Sequence, residues 1–222
     1  MKVIALIPAY NEEKTIAEVL EKTRPHVDRV LVINDGSSDR TEQIARSRGA
    51  VVVTHVINRG LGAAIGTGFA AALKLGADVV VTLDADGQHD AEEIPKFTEA
   101  IRTKDADVVI GSRMITRKGM PWYRQIAQVL GNLTTLVLFG AWVTDSQSGF
   151  RAFTSYALSK IKIKTNRMEV SSELIAETKR NKLKLVEVPI KAIYTEYSLS
   201  KGQNFFVGIK TLIKLIFRRI TM

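Results

Sequence analysis

The sequence predicts an α/β protein with a mostly parallel sheet flanked by helices, on three observations. Short β-branched runs recur through the first half of the chain, segments of helical period separate them, and polar or turn-forming residues follow every run. Strict alternation of strand and helix covers both faces of a parallel sheet and puts ligand chemistry at the carboxyl ends of its strands.

Taken in order, Val3 to Ile7 reads as the first strand, and a helix over Glu12 to Thr23 follows, with Glu12 and Glu13 at its positive end. Val30 to Ile33 is the second strand. Asp39 then caps a helix over Thr41 to Arg48. The strand Val51 to Val56 leads through Asn58-Arg59-Gly60 into a helix over Leu61 to Leu75, where Gly66 and Gly68 allow close packing. Val79 to Leu83 and Val108 to Ile110 are strands on either side of a helix over Ala91 to Thr103. Ile126 to Val143 is apolar but holds Gln128, Asn132, Thr134 and Thr135, whereas a spanning helix needs ~20 cleanly apolar residues. It reads as a buried or half-buried helix. Lys184 to Val188 and Ile190 to Tyr194 are short strands.

The 222 residues and 45% apolar content suit one domain, assigned to residues 1–202, with 203–222 as an extension. Without cysteine there is no disulfide framework, thiolate metal site or cysteine nucleophile. The opening MKVIALIPAYNEE is broken by Pro8 and has no small-residue cleavage site. It reads as a strand rather than a signal peptide, so the protein is expected on the cytoplasmic side. A net charge of +9 rewards nucleic acid, anionic lipid or an anionic substrate alike. The excess lies in Arg113 to Arg124 and from Lys201 onward, in the C-terminal half.

Asp84-Ala85-Asp86 carries the strongest local chemistry. It leaves an apolar strand with both carboxylates on one side, and such a pair suits Mg²⁺ or Mn²⁺ completed by substrate phosphates. A calcium loop of the EF-hand type is excluded because Gly87 falls at the fourth position instead of the sixth. A phosphatase with Asp84 as nucleophile is the alternative enzyme class. Gly60-Leu61-Gly62-Ala63-Ala64-Ile65 imitates a dinucleotide fingerprint but has Ile65 at its sixth position and no first strand before it. His26, His55 and His89 are too scattered for a zinc site, and His89 beside the carboxylate pair is left without a role. Glu169 and Glu173 read as one face of a helix.

The strings Ile7-Pro8-Ala9-Tyr10-Asn11-Glu12-Glu13, Asn34-Asp35-Gly36-Ser37-Ser38-Asp39, Asp84-Ala85-Asp86-Gly87-Gln88-His89, Gly111-Ser112-Arg113 and Asp145-Ser146-Gln147-Ser148-Gly149-Phe150-Arg151 occur in this order. Together they resemble the family 2 glycosyltransferases of the dolichol-phosphate mannose synthase type. Glu187-Val188-Pro189-Ile190 and Ser200-Lys201-Gly202 extend the likeness into the last third. The resemblance implies a GT-A (Rossmann-like) fold, a nucleotide-sugar donor, a divalent metal and a polyprenyl (dolichyl) phosphate acceptor. One departure is Asn34, where relatives often carry an aspartate.

Carried over motif by motif, Pro8, Ala9, Tyr10, Glu12 and Asp35 line the nucleoside pocket. Asp84 and Asp86 hold ribose, diphosphate and metal, with Gln88 as a further metal contact. A phosphate acceptor is ionised at neutral pH and attacks the anomeric carbon without a general base, so catalysis reduces to positioning and charge, with inversion. Asp86, Arg113 and Asp145 are the expected catalytic residues. Arg113 is first choice for the acceptor phosphate because a guanidinium can grip it at two points, with Arg117, Arg151 and Lys201 behind it. Asp145 orients sugar or acceptor. If the acceptor were a sugar or protein hydroxyl, Asp145 would be the base; a binding module without turnover is the remaining reading.

From Gln203 the apolar Phe205, Phe206, Val207, Ile209, Leu212, Ile213, Leu215, Ile216 and Phe217 are interrupted by Lys210, Lys214, Arg218 and Arg219. An amphipathic helix of this kind suits the surface of an anionic membrane or a contact with a second subunit. Peripheral attachment at the cytoplasmic face is expected, with no nucleic acid partner and a possible homo-oligomer. The donor is UDP-glucose or GDP-mannose, with a lean to glucose because Tyr197-Ser198-Leu199-Ser200-Lys201 lacks the arginine that mannose synthases often carry there.

Overall fold

A computed structural model describes residues 1–116, 122–191 and 193. Seven strands form one sheet in the order β3-β2-β1-β4-β6-β5-β7. They are β1 (Val3–Ala9), β2 (Arg29–Asn34), β3 (Val51–Thr54), β4 (Val79–Thr82), β5 (Val108–Ser112), β6 (Arg151–Thr154) and β7 (Leu185–Pro189). The β1/β2, β1/β4, β2/β3 and β5/β7 pairs are parallel, and only β6 runs the other way, between β4 and β5.

The helices are α1 (Ile16–Thr23), α2 (Thr41–Ser47), α3 (Leu61–Lys74), α4 (Ile94–Lys104), α5 (Trp122–Phe139), α6 (Ser155–Lys160) and α7 (Val170–Arg180). The apolar strands bury side chains on both faces. Ala5, Ile7 and Val81 pack with Ile16, Leu20, Ile94 and Phe97 on one side; Ile4, Leu6 and Val80 pack with Ile65, Phe69, Leu158 and Leu174 on the other. This two-sided burial explains why the strands read as continuous β-branched runs rather than alternating ones.

Gly68 meets its expectation: a Cβ there would lie 2.3 Å from Leu6 Cδ1, so α3 can approach β1 only without a side chain. Gly66 does not, because an added Cβ would meet nothing within 4 Å. Strand β3 stops at Thr54, short of Val56, and α1 begins at Ile16 because residues 12–15 form a turn whose Glu12 carbonyl accepts from Thr15 and Ile16. The helix expected over Ile126 to Val143 begins and ends earlier, at Trp122 and Phe139, and Val143 is buried in the loop beyond it.

Strand β6 was not anticipated: four residues opening on an arginine carry no strand period. Residues 190, 191 and 193 are not strand, which corrects that part of the segment Ile190 to Tyr194. The expected extension 203–222, with Arg117 and Lys201, lies outside the described residues.

Helix α5 packs on α7, where Thr135 and Ser172 hydroxyls meet, and ties the buried Asn132 to Thr144 O and Ser146 N. Val129, Leu130, Leu133 and Val137 leave an apolar stripe exposed, 73% at Val137, and Trp142 is exposed just beyond the helix. Among the described residues no helix is long and apolar enough to cross a membrane.

Candidate active site

The parallel strands bring residues 9–13, 34–39, 55–60, 84–89 and 112–116 to one edge of the sheet. Because β6 is antiparallel, the loop that enters it, 145–150, arrives at that same edge.

On the β1/β2 side the turns are stitched together. Asn11, at φ 53°, donates its N–H to Ser37 Oγ and accepts from Ser38 N at 2.9 Å. Glu12 N donates to Thr41 Oγ1 and Glu13 N to Asp39. Burial alone would raise Asp39, but hydrogen bonds from the Thr41 hydroxyl and N–H and from Glu13 N–H outweigh it and hold the carboxyl below its usual range. Pro8 is half-buried, Ala9 buried and Tyr10 47% exposed, which leaves the phenol ring open to a partner.

Asp35 follows the last residue of β2. It is 4% exposed; Oδ1 accepts from His55 Nδ1 at 2.7 Å and from Arg59 N, and Oδ2 accepts from Gly60 N at 2.7 Å. His55 Nε2 pairs in turn with Thr67 Oγ1. In this arrangement Asp35, expected at the nucleoside, anchors the 55–60 loop. Asn34 lies nearby, donating to Glu42 and accepting from Ser37 N.

Asp84 keeps its carboxylate 42% exposed where β4 ends. Asp86 is deeper; burial pushes its carboxyl up, the charge of Asp84 adds to the rise, and hydrogen bonds from Gln88 offset part of it. Gln88 reaches Asp86 through both its backbone N–H and its side-chain amide, so here it orients Asp86. A part-buried carboxylate raised by burial and by the charge of its neighbour fits a hard divalent cation, which would offset that repulsion. His89 closes this loop, its Nδ1 3.1 Å from Asp84 N and its Nε2 3.6 Å from Asp84 Oδ2. Gly149 presses on the other oxygen: a Cβ there would stand 2.6 Å from Asp84 Oδ1.

Across the edge, Arg113 and Asp145 form a two-point ion pair, Nε to Oδ2 at 2.7 Å and Nη2 to Oδ1 at 2.8 Å. Arg113 N and Gln128 Nε2 also donate to Asp145, which has no exposed surface. The Nε–Nη2 edge of the Arg113 guanidinium, expected to grip a phosphate, holds Asp145 here. Arg151, also expected at the acceptor phosphate, lies inside the protein, 3% exposed. Its three nitrogens donate to the carbonyls of Ser148, Ser171 and Ser146, and burial lowers it to about 10, so it is a cation inside the protein holding the 145–150 loop.

Two residues without an expected role stand against Asp84, His89 and Gly149. The first sat visibly inside the Asp84 string; the second carried no signal, since its contact with Asp84 crosses 65 residues of chain.

The family described as "Glycosyl transferase family 2" matches residues 4–162. A UDP-N-acetylglucosamine–dolichyl-phosphate N-acetylglucosaminyltransferase of Methanococcus voltae is 37% identical, over 95% of this chain and 93% of its own. An undecaprenyl-phosphate mannosyltransferase of Micrococcus luteus is 35% identical, over 94% of this chain and 90% of its own. Among solved structures, glucosyl-3-phosphoglycerate synthase of Mycobacterium tuberculosis, crystallised with Mn²⁺, UDP and glucosyl-3-phosphoglycerate, shares the fold. Its TM-score is 0.75 at 22% identity, covering 98% of this chain and 79% of its own.

Proposed function

Because the chain belongs to glycosyl transferase family 2, we propose that it moves a hexose, with inversion, from a nucleotide sugar to a polyprenyl phosphate at a membrane surface. UDP-glucose and GDP-mannose are the donors in view. The observation that carries the acceptor class is the burial of Asp145. A hydroxyl acceptor would need a base, and the carboxylate considered for that task has no exposed surface and takes four donors from the chain. A phosphate needs no base, because its oxygen is already ionised. The two relatives named above act, by their names, on dolichyl and undecaprenyl phosphates.

In this reading a phosphate oxygen of the lipid attacks the anomeric carbon from behind. The new carbon–oxygen bond forms as the bond to the nucleotide diphosphate breaks, and the electron pair leaves on the diphosphate. Tyr10 offers its exposed ring to the base, with Pro8, Ala9 and Glu12 lining the pocket. Asp84 and Asp86 would hold Mg²⁺ or Mn²⁺ against the diphosphate, with Gln88 orienting Asp86. When bound, the cation offsets the charge that builds on the departing diphosphate.

Arg113 is neutralised by Asp145, so the positive charge for the lipid phosphate falls to Arg117 and Lys201. The exposed α5 stripe supports a membrane setting, since apolar surface of that kind is suited to the interfacial region of a bilayer. Residues 203–222 are proposed to add a basic, apolar contact with the same surface.

The test is transfer of label from UDP-glucose, UDP-N-acetylglucosamine or GDP-mannose into polyprenyl phosphate with Mn²⁺ or Mg²⁺, with Asp86→Ala as control. Lipid-phase label from one donor, abolished in the variant and by chelator, is expected. Donor hydrolysis or binding without lipid product from any of the three would overturn the acceptor.

A further inference from the structure

The side chain of the half-buried His89 is 5% exposed and has no place in the chemistry above. Its ring lies against Phe150, centroids 5.0 Å apart and planes 27° from parallel, and Phe150 lies in turn against Phe97 at 4.2 Å. That stack fixes the plane of the imidazole. Within the plane, Nδ1 faces a backbone N–H, that of Asp84, at 3.1 Å. A backbone N–H can only donate, so Nδ1 accepts, and the proton of the neutral ring resides on Nε2. Nε2 stands 3.6 Å from Asp84 Oδ2, just beyond hydrogen-bond distance, and Gly149 lies against both oxygens of that carboxylate.

We infer that His89 is a positioning residue for the divalent cation: held by Asp84 N–H as the Nε2–H tautomer, it directs its proton to Asp84 Oδ2 and so sets how the carboxylate is presented to the metal. The inference rests on the metal-dependent reading of Asp84 and Asp86. A ligating carboxylate left without its outer partner rotates and loses affinity, and removal of such partners typically costs 10- to 100-fold.

Three substitutions separate the ring's roles. His89→Phe keeps the stack on Phe150 and removes both polar contacts. His89→Gln reaches as far as Nε2 and keeps a donor for the carboxylate; His89→Asn is shorter and replaces only the acceptor at Nδ1. The readout is Mn²⁺ affinity of the full chain in the presence of UDP and of GDP, followed by electron paramagnetic resonance, beside nucleotide affinity under chelator. Expected are a 10- to 100-fold loss of Mn²⁺ affinity in His89→Phe, substantial recovery in His89→Gln, little in His89→Asn, and metal-free nucleotide binding within about twofold of wild type in all three. Mn²⁺ affinity in His89→Phe within twofold of wild type overturns the inference, as does recovery in His89→Asn equal to or better than that in His89→Gln. If the phenylalanine variant does not fold, the order of the other two decides. Failure of the parent reading looks different: wild type itself would bind no Mn²⁺ with either nucleotide.

Discussion

Arg113 and Asp145, 32 residues apart in the chain, meet side by side at 2.7 and 2.8 Å, with the carboxylate wholly buried. The pair fastens the end of β5 to the loop entering β6. Breaking a buried pair from one side leaves a charge without compensation. Arg113→Met and Asp145→Leu alone should each cost about 3–5 kcal/mol, and the double variant less than their sum. Urea unfolding of the four proteins measures this; additivity would show that the two residues act separately.

Gly149→Ala should leave stability nearly unchanged and impair metal-dependent transfer about 10- to 100-fold, because the new methyl would stand 2.6 Å from Asp84 Oδ1 and push that carboxylate aside. Thermal melting and turnover under saturating metal are the two measurements. Wild-type turnover in this variant would mean that the carboxylate has room to adjust.

Asp39 offers a pH-dependent check. Its folded carboxyl lies below the ordinary value of 3.8, so its stabilisation is present above that value and is lost as pH falls through the lower folded one. Asp39→Asn should cost about 1 kcal/mol at neutral pH, and the gap from wild type should close as the pH drops below 3.8. A gap that persists unchanged into acid would mean that the charge of Asp39 contributes nothing.

For α5, replacing Leu130, Leu133 and Val137 with serine should leave the melting temperature close to wild type, because these side chains face outward. Binding to vesicles containing phosphatidylglycerol should fall about tenfold or more, at ~1.5–3 kcal/mol for each large apolar side chain fully buried. A sharp loss of stability instead would mean that the stripe is covered by the protein itself or by a second copy.

How much could be read in advance follows from the range of the forces involved. The β-branched runs at Val30 to Ile33 and Val79 to Leu83 were legible because burial on both faces imposes its signature residue by residue. Asp84, Asp86 and Tyr10 were legible because parallel strands place their following residues at one edge. Strand β6 was not, because four residues starting at Arg151 become a strand only between β4 and β5. Arg151 itself looks like a surface cation in sequence; three carbonyls from separate positions in the loop and α7 make it an internal one.

The sequence by itself determined the α/β class, the edge at which chemistry gathers, the carboxylate pair and the family, all of which depend on local period and on residues close in the chain. Only the tertiary structure decided which charges neutralise one another. Arg113 went to Asp145, Asp35 to the 55–60 loop, and His89 and Gly149 to Asp84. Electrostatic pairing and steric contact act over a few ångströms in space, and packing alone brings residues distant in the chain within that reach.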